Sequence, residues 1–241
     1  MRRGRGNAES RIRAWWAPLL FLALVAVGGV VLHRWLMDPQ RWPVRTVGIQ
    51  DNFRHLDRRE LQQALVAAVD GSFFGVDLQA VRAAALALPW VAEARVRRIW
   101  PDRLEVEITE QTPVARWNDD GLVNLRGEVF KPRKVEAAPL VHFRGPEGKA
   151  GEMLEFYRGA APLFARRGLH IGEIRLDRRG EWRLQLDPGP MVVVGRERTA
   201  FRIRRLLEVH PVLVREQEGR PMRRIDLRYD QGFAVAWTGR K

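Results

Sequence analysis

Polar and apolar positions along this chain follow three different rhythms. Residues 14–32 read AWWAPLLFLALVAVGGVVL, 19 positions without a charge, ten of them Leu, Val or Phe. At about 1.5 Å per residue, a helix of that length is about 28 Å long, close to the hydrocarbon thickness of a bilayer. Trp15 and Trp16 at one end and Trp35 at the other sit where amphipathic rings prefer the interface. Pro18 is expected in the first turn, where a missing N–H costs little. A buried helix of a soluble core is usually shorter and carries a polar face. A cleaved signal peptide has an apolar core of about 7–15 residues with small residues before the cut. This run is longer and ends in Val30-Val31-Leu32. The pattern therefore predicts an uncleaved transmembrane helix over residues 14–36, after a polar, disordered tail over residues 1–13.

A second rhythm begins past the breakers Asp38-Pro39 and Trp42-Pro43. Val47 and Ile49 alternate in a predicted strand over residues 44–50. Asp57 can cap a helix, with Glu60 at the capping-box position and Leu56 and Leu61 as a staple. Leu61, Ala64, Leu65, Ala68 and Val69 form its apolar face. After the turn Gly71-Ser72-Phe73-Phe74-Gly75, Asp77 can cap a second helix that buries Leu78, Val81, Ala85 and Leu88 and ends at Pro89. Residues 90–99 and 103–109 read as two strands joined at Trp100-Pro101-Asp102, with Leu104, Val106 and Ile108 inward. Antiparallel pairing would set Arg95 and Arg97 against Glu105 and Glu107. The order is β-α-α-β-β over residues 44–112.

The third rhythm, over residues 113–241, is β-rich. Short strands are expected over 114–117, 121–125, 128–130 and 140–143. A helix over 152–167 carries Met153, Phe156, Tyr157, Ala160, Ala161 and Phe164, has Pro162 inside and stops at Gly168. Strands over 171–176, 182–186 and 191–194 form a meander. A helix over 198–210, with Phe201, Leu206 and Leu207 apolar and its arginines on a solvated face, ends at or soon after Pro211. Strands over 225–229 and 233–237 close the chain around Asp230-Gln231-Gly232. The fold class is α+β: one N-terminal transmembrane helix, a small α/β unit, then a mixed β-rich domain with two helices.

Charge orients this arrangement. Five arginines against one glutamate precede the apolar run, and Arg34, Asp38 and Arg41 follow it, so the positive-inside bias puts the N-terminus in the cytoplasm. The part beyond the helix carries 37 Lys and Arg against 28 Asp and Glu. In the cytoplasm that excess would suggest nucleic acid. Outside the membrane, acidic protein segments and anionic head groups are the expected attractors, and no nucleic-acid partner is expected. Only four residues are Lys, so coding bias toward Arg is a further reading.

Composition narrows the chemistry. The chain has no Cys, which removes disulfides, thiolate nucleophiles and Cys-ligated metals. Ser10 and Ser72 are the only serines, and GSFFG lacks the spacing of a nucleophile elbow. His33, His55, His142, His170 and His210 are scattered, with no metalloprotease, P-loop or dinucleotide motif. Neither an enzyme nor a bound cofactor or metal is expected.

Several residues carry a resemblance. Pro89-Trp90-Val91, the run Ala94-x-Val96-x-Arg98-x-Trp100-Pro101, Leu104-x-Val106, Glu110 and Pro113-x-Ala115 follow one another behind a single anchor. In that order they resemble the second half of the POTRA domain in the bacterial cell-division family FtsQ/DivIB. The likeness runs on through Leu122-Val123-Asn124, Gly127-x-Val129-Phe130, Ile225 to Tyr229, Gly232 and Trp237. Gln231 stands where the family often has a small hydroxyl residue. The resemblance implies a POTRA domain over residues 44–112 and a β domain over 113–241. It also implies an inner-membrane, mostly periplasmic scaffold enriched at the division septum.

The last strand is where a partner would add. Phe233, Val235 and Trp237 are expected to point one way and Ala234 and Ala236 the other. An alanine face on a terminal strand is poorly defended by charge, and free backbone groups there accept a new strand. On pattern alone, the reading of Phe233 and Trp237 as core at the end of a sheet is the favoured one. The resemblance implies binding of FtsB, itself paired with FtsL, through Tyr229, Gln231, Gly232 and Trp237, and the edge-strand pattern adds Phe233 and Ala234. Arg196 and Arg179 (or Arg178) would meet acidic side chains. The POTRA part would recruit upstream proteins, FtsK among them, by residues 95–99 or near Arg58 and Arg59. Rival readings are a POTRA-bearing transport or assembly factor and a peptidoglycan-acting enzyme.

Overall fold

The computed structural model describes residues 8–50, 53–135, 139–216 and 220–239, with backbone alone for residues 8–17, 50 and 216. It divides into two compact units, Met1–Glu110 and Gln111–Lys241. Residues 1–7 of the expected tail lie outside the described residues, and the tail's remainder is helical. Helix α1 (Ala8–Leu36) begins well before the apolar run. Pro18 is thus inside the helix and not in its first turn. Ala, Glu and Arg before the run are good helix formers and extend it backward. Pro18–Leu36 is the one helix among the described residues long and apolar enough to cross a membrane, and none of it packs inside the protein.

The first unit continues with β1 (Thr46–Gln50), α2 (Arg58–Ala68), α3 (Leu78–Leu86), β2 (Val91–Ile99) and β3 (Arg103–Glu110). The sheet order is β1-β3-β2, with β3 central, parallel to β1 and antiparallel to β2. Both helices start on the expected caps: Asp57 accepts from the Arg59 N–H, and Asp77 from those of Gln79 and Ala80. The i, i+4 pairs Leu61/Leu65 and Val81/Ala85 are fully buried against Leu104 and Val106 of the central strand. Arg97 ion-pairs with Glu105 across the β2–β3 pair and lies 3.6 Å from Glu107. Glu105, expected on an exposed face, is only 6% exposed.

Two polar side chains tie loops to this sheet. Glu110 accepts hydrogen bonds from the N–H groups of Arg54, His55 and Leu56 at 3.0, 3.1 and 2.7 Å. Burial alone would raise its pKa, but those three donors and the nearby His55 together hold it below the usual carboxylate value. Arg98 donates to the carbonyls of Phe73, Phe74 and Val76, fixing the loop between α2 and α3.

The second unit holds β4 (Pro113–Trp117), β5 (Gly121–Asn124), β6 (Val129–Phe130), β7 (Val141–Arg144), α4 (Ala150–Ala165), β8 (Ile171–Leu176), β9 (Trp182–Leu186), β10 (Met191–Gly195), α5 (Thr199–Glu216), β11 (Met222–Asp226) and β12 (Ala234–Trp237). They form one nine-stranded sheet, ordered β12-β11-β10-β9-β8-β7-β4-β5-β6. One end strand, β6, has only two residues. Met153 and Phe164 of α4 and Ile203 and Leu206 of α5 pack onto the sheet residues Phe143, Ile174, Leu184, Val192 and Ile225. Gly168 (φ +70°) ends the α4 turn, where the N–H of Leu169 donates to the Phe164 carbonyl, a geometry glycine adopts without strain.

Helix α5 departs from the expectation in three ways. It runs through Pro211 to Glu216, because Leu213, 8% exposed, keeps the apolar stripe on the sheet. Phe201, expected to pack inward, is 59% exposed. Two of its arginines do not line a solvated face; they bind backbone carbonyls near the final hairpin, as described next. The first strand of that hairpin is also earlier than expected, Met222–Asp226 instead of 225–229.

Candidate protein-binding edge

Strand β12 is the other end of the nine-stranded sheet. It pairs antiparallel with β11 alone, in the register Ile225 to Val235 and Asp226 to Ala234. Its second side has no strand neighbour among the described residues. Alternation fixes which side chains serve which face. Phe233 and Val235 are half-buried against the main core, while Ala234 is exposed. Trp237 is half-buried opposite Met222. No Lys, Arg, Asp or Glu lies in Ala234–Trp237, so the strand carries none of the charge that usually guards a sheet margin.

The turn before β12 is held from α5. The Arg205 guanidinium donates to the carbonyls of Asp230 (3.0 Å), Tyr229 (3.1 Å) and Gly232 (2.7 Å). Three charge-assisted hydrogen bonds set residues 229–232 in place and leave the Tyr229 ring 58% exposed. Arg205 also lies over the exposed Phe201 ring, 5.7 Å from its centroid. Tyr229 and Phe201 thus stand on one corner beside the open strand. Gln231 is exposed, and Gly232 is half-buried.

Next to this corner is a cleft of about 530 Å³, lined by Arg179, Arg196, Arg202, Arg228, Asp177 and Glu181 among others. Arg228 forks onto Asp226, with Nε to Oδ1 at 2.9 Å and Nη2 to Oδ2 at 2.7 Å, and reaches Glu181 at 3.1 Å. The Arg228 hydrogen bond, opposed by burial and helped by the charge, holds Asp226 ionised below its ordinary pKa, and Asp226 in turn raises that of Arg228. Arg202 donates to the carbonyls of Val194 and, at 3.4 Å, Arg228. Those two arginines are therefore engaged within the fold. Arg179 and Arg196 are exposed, and neither side chain forms a close ion pair among the described residues; Asp177, held below its ordinary pKa chiefly by the Glu181 N–H, also feels the Arg179 charge. Among the described residues, Arg179 and Arg196 are the arginines of the cleft without a close carboxylate or carbonyl partner.

The structure thus brings Tyr229, Gln231, Gly232, Phe233, Ala234 and Trp237 into one hairpin, and Arg179 and Arg196 into one cleft. Arg202 and the Arg228 carbonyl connect the two. Sequence reasoning missed Arg202 and Arg205, which hold that corner, and Phe201. One signal was available: Arg202 and Arg205, three apart, flank Ile203 and Leu206 and so border the apolar stripe instead of opposing it. Ser72 is 0% exposed, with Oγ donating to the Leu36 carbonyl and accepting from Gly75, which is a structural engagement.

Comparison with known proteins now adds to this geometry. Residues 42–111 match the family model described as POTRA domain, FtsQ-type, and residues 115–228 the one described as cell division protein FtsQ/DivIB, C-terminal. The FtsQ cell-division protein of Xanthomonas campestris is 37% identical over 230 residues, covering 95% of this chain and 81% of that protein. The FtsQ of Shewanella oneidensis is 37% identical, covering 92% and 86%. The Escherichia coli protein is 31% identical over 240 residues, covering 97% and 87%.

Proposed function

This chain belongs to the FtsQ/DivIB family of cell-division proteins, and from that premise we propose that it is a non-catalytic membrane-anchored scaffold of the divisome. Its N-terminus stays in the cytoplasm, α1 crosses the inner membrane, and both folded units lie in the periplasm, concentrated at the septum. The POTRA unit, residues 44–112, docks to earlier division proteins such as FtsK. The β domain, residues 113–241, captures FtsB together with FtsL.

The observation that carries this reading is the open, uncharged margin of β12. A partner strand laid along it satisfies the free N–H and C=O groups of residues 234–237 and extends the sheet by one. Tyr229 and Phe201 supply aromatic anchors of the kind that dominate binding energy. Arg179 and Arg196 supply a forked, permanently charged receptor for a carboxylate beyond the added strand, which lysine would not reproduce.

The test is capture of FtsB–FtsL by the full chain in detergent. Tyr229→Ala and Trp237→Ala each abolish capture while the thermal unfolding midpoint stays close to that of the parent. Retention of both partners by both variants would refute strand addition at this edge.

A further inference from the structure

The final turn of α1 is not followed by a free tether. Ser72 Oγ donates to the Leu36 carbonyl at 3.0 Å, Pro43 bridges Ser72 in an antiparallel contact, and the Phe73 N–H donates to the Trp42 carbonyl at 2.7 Å. Met37 Sδ lies so close to Gly75 that a Cβ there would sit 2.9 Å from it. The aromatic rings continue the connection. Trp35 meets Trp42 edge-on with centroids 5.3 Å apart, and Trp42 meets Phe74 in the same way at 5.3 Å. The α2–α3 loop is thereby latched to the end of the apolar span.

That latch fixes a height. Trp35 lies in the last turn of the span Pro18–Leu36, at the interface where tryptophan rings concentrate. Each headgroup layer is about 5–8 Å thick, the difference between about 30 Å of hydrocarbon and about 40–45 Å of whole bilayer, shared by two leaflets. The Ser72 bond to Leu36 and the Met37 contact at Gly75, on either side of Phe73-Phe74, hold Phe74, 36% exposed, next to that layer. The β2–β3 turn lies at the same end of the unit. Thr46, just after the linker, pairs with Arg103, and the Arg45 N–H donates to the Asp102 carbonyl at 2.9 Å. At that turn Trp100 is 74% exposed, the most exposed large apolar side chain among the described residues.

We propose that Phe74 and Trp100 contact the headgroup layer of the leaflet from which the folded units emerge, holding the first unit against the lipid surface. Charge at this end is largely met within the fold, Arg41 pairing with Asp38, Arg45 with Asp102 and Arg98 with the loop carbonyls, so the exposed aromatic rings carry the contact. The inference extends the membrane-anchored reading and rests on α1 spanning the bilayer. A protein partner for Trp100 is the competing occupant. Lipid is favoured because the aromatic chain from Phe74 leads unbroken to the span itself.

The chain has no native cysteine, so single labels can be placed in the full protein. Phe74→Cys, Trp100→Cys, Glu93→Cys and Val25→Cys each receive an environment-sensitive fluorophore after reconstitution into phosphatidylethanolamine–phosphatidylglycerol vesicles. Glu93, at the opposite end of β2, reports water, and Val25 reports the span. Thermal unfolding of each labelled protein checks the fold. Labels at 74 and 100 are expected to be blue-shifted, quenched by nitroxide-bearing lipid and shielded from aqueous iodide, while the label at 93 is quenched by iodide. Iodide quenching at 74 and 100 equal to that at 93 would overturn the proposal. So would shielding that appears only once the partner proteins are reconstituted alongside. A label at 25 that lipid nitroxide does not quench would remove the span, and this inference with it.

Discussion

The two sheets of this protein end in opposite ways. Strand β2, an outer strand of the first unit, carries Glu93, Arg95, Arg97 and Arg98 along its length. Strand β12, at the end of the second sheet, carries Ala-Val-Ala-Trp. Each has no strand neighbour on its outer side among the described residues, although on β2 the Ala94 carbonyl accepts from Arg82, so both could in principle template another strand. Charged side chains make that costly on β2, because an added strand must desolvate or displace them. On β12 nothing comparable stands in the way. The contrast teaches that exposure of an edge is not enough to mark a docking site; the absence of a guard on one edge beside its presence on another is the informative feature.

The comparison can be broken most severely at Arg205. Arg205→Met removes three hydrogen bonds to the carbonyls of residues 229, 230 and 232. Each bond to a charged donor is worth about 1.5–3 kcal/mol when buried, and partial exposure lowers the total to about 2–3 kcal/mol. The expected result is loss of FtsB capture by more than about tenfold with a lowered unfolding midpoint. Capture at the parent level would show that the hairpin needs no positioning.

A guard can next be moved from one edge to the other. Ala234→Lys should weaken capture by about tenfold, about 1.4 kcal/mol. Folding stability should change by no more than about 0.5 kcal/mol, as for other exposed sites. In the reciprocal variant, Glu93, Arg95 and Arg97 become alanine; concentration-dependent self-association is then expected in sedimentation. Sedimentation unchanged from that of the parent would mean that charge is not what protects β2.

A smaller effect is expected at the cleft. Arg196→Glu should reduce capture more at low ionic strength than at high, because salt screens exposed charges over about 10 Å at 0.1 M. Binding measured across a salt series decides this, and a salt-independent loss would mean that Arg196 contributes shape alone.

The smallest effect concerns pH. The folded-state pKa of Asp226 lies below its ordinary 3.8, chiefly through the Arg228 hydrogen bond. A carboxylate with a depressed folded pKa contributes stability that is present above its unfolded value and lost as pH falls through the folded one. Unfolding midpoints should therefore drop below about pH 4 in the parent and drop less in Asp226→Asn. Parallel curves would remove Asp226 as a contributor. Glu110 titrates in the same sense in the first unit, so the domain-specific variant is needed to separate them.

Much of this architecture was legible from residue order. Asp57 and Asp77 announced two helix starts because a short carboxylate before an apolar stripe has one common use. The strand alternation Leu104-Val106-Ile108 fixed the central strand's face. What escaped was set by distance in sequence. The parallel pairing of β1 with β3 joins residues more than fifty apart. The early start of β11 depends on its partners, β12 opposite Met222 and β10 from Arg224 onward, and Arg205 acts on carbonyls some 25 residues downstream. Local pattern treats such an arginine as solvated because its acceptors are backbone atoms, which leave no trace in composition. For the same reason the hairpin residues could be named from sequence, whereas the side chains that hold the hairpin could not.

The two-residue strand β6 gives the large sheet a direction of growth. An addition at the far margin finds only Val129 and Phe130 to zip against, too short a ladder to hold a newcomer. Copies of this domain stacked head to tail would meet a two-residue strand at every junction, a geometry that disfavours growth into a filament. The sheet therefore has two unequal margins, a four-residue uncharged one at β12 and a two-residue one at β6.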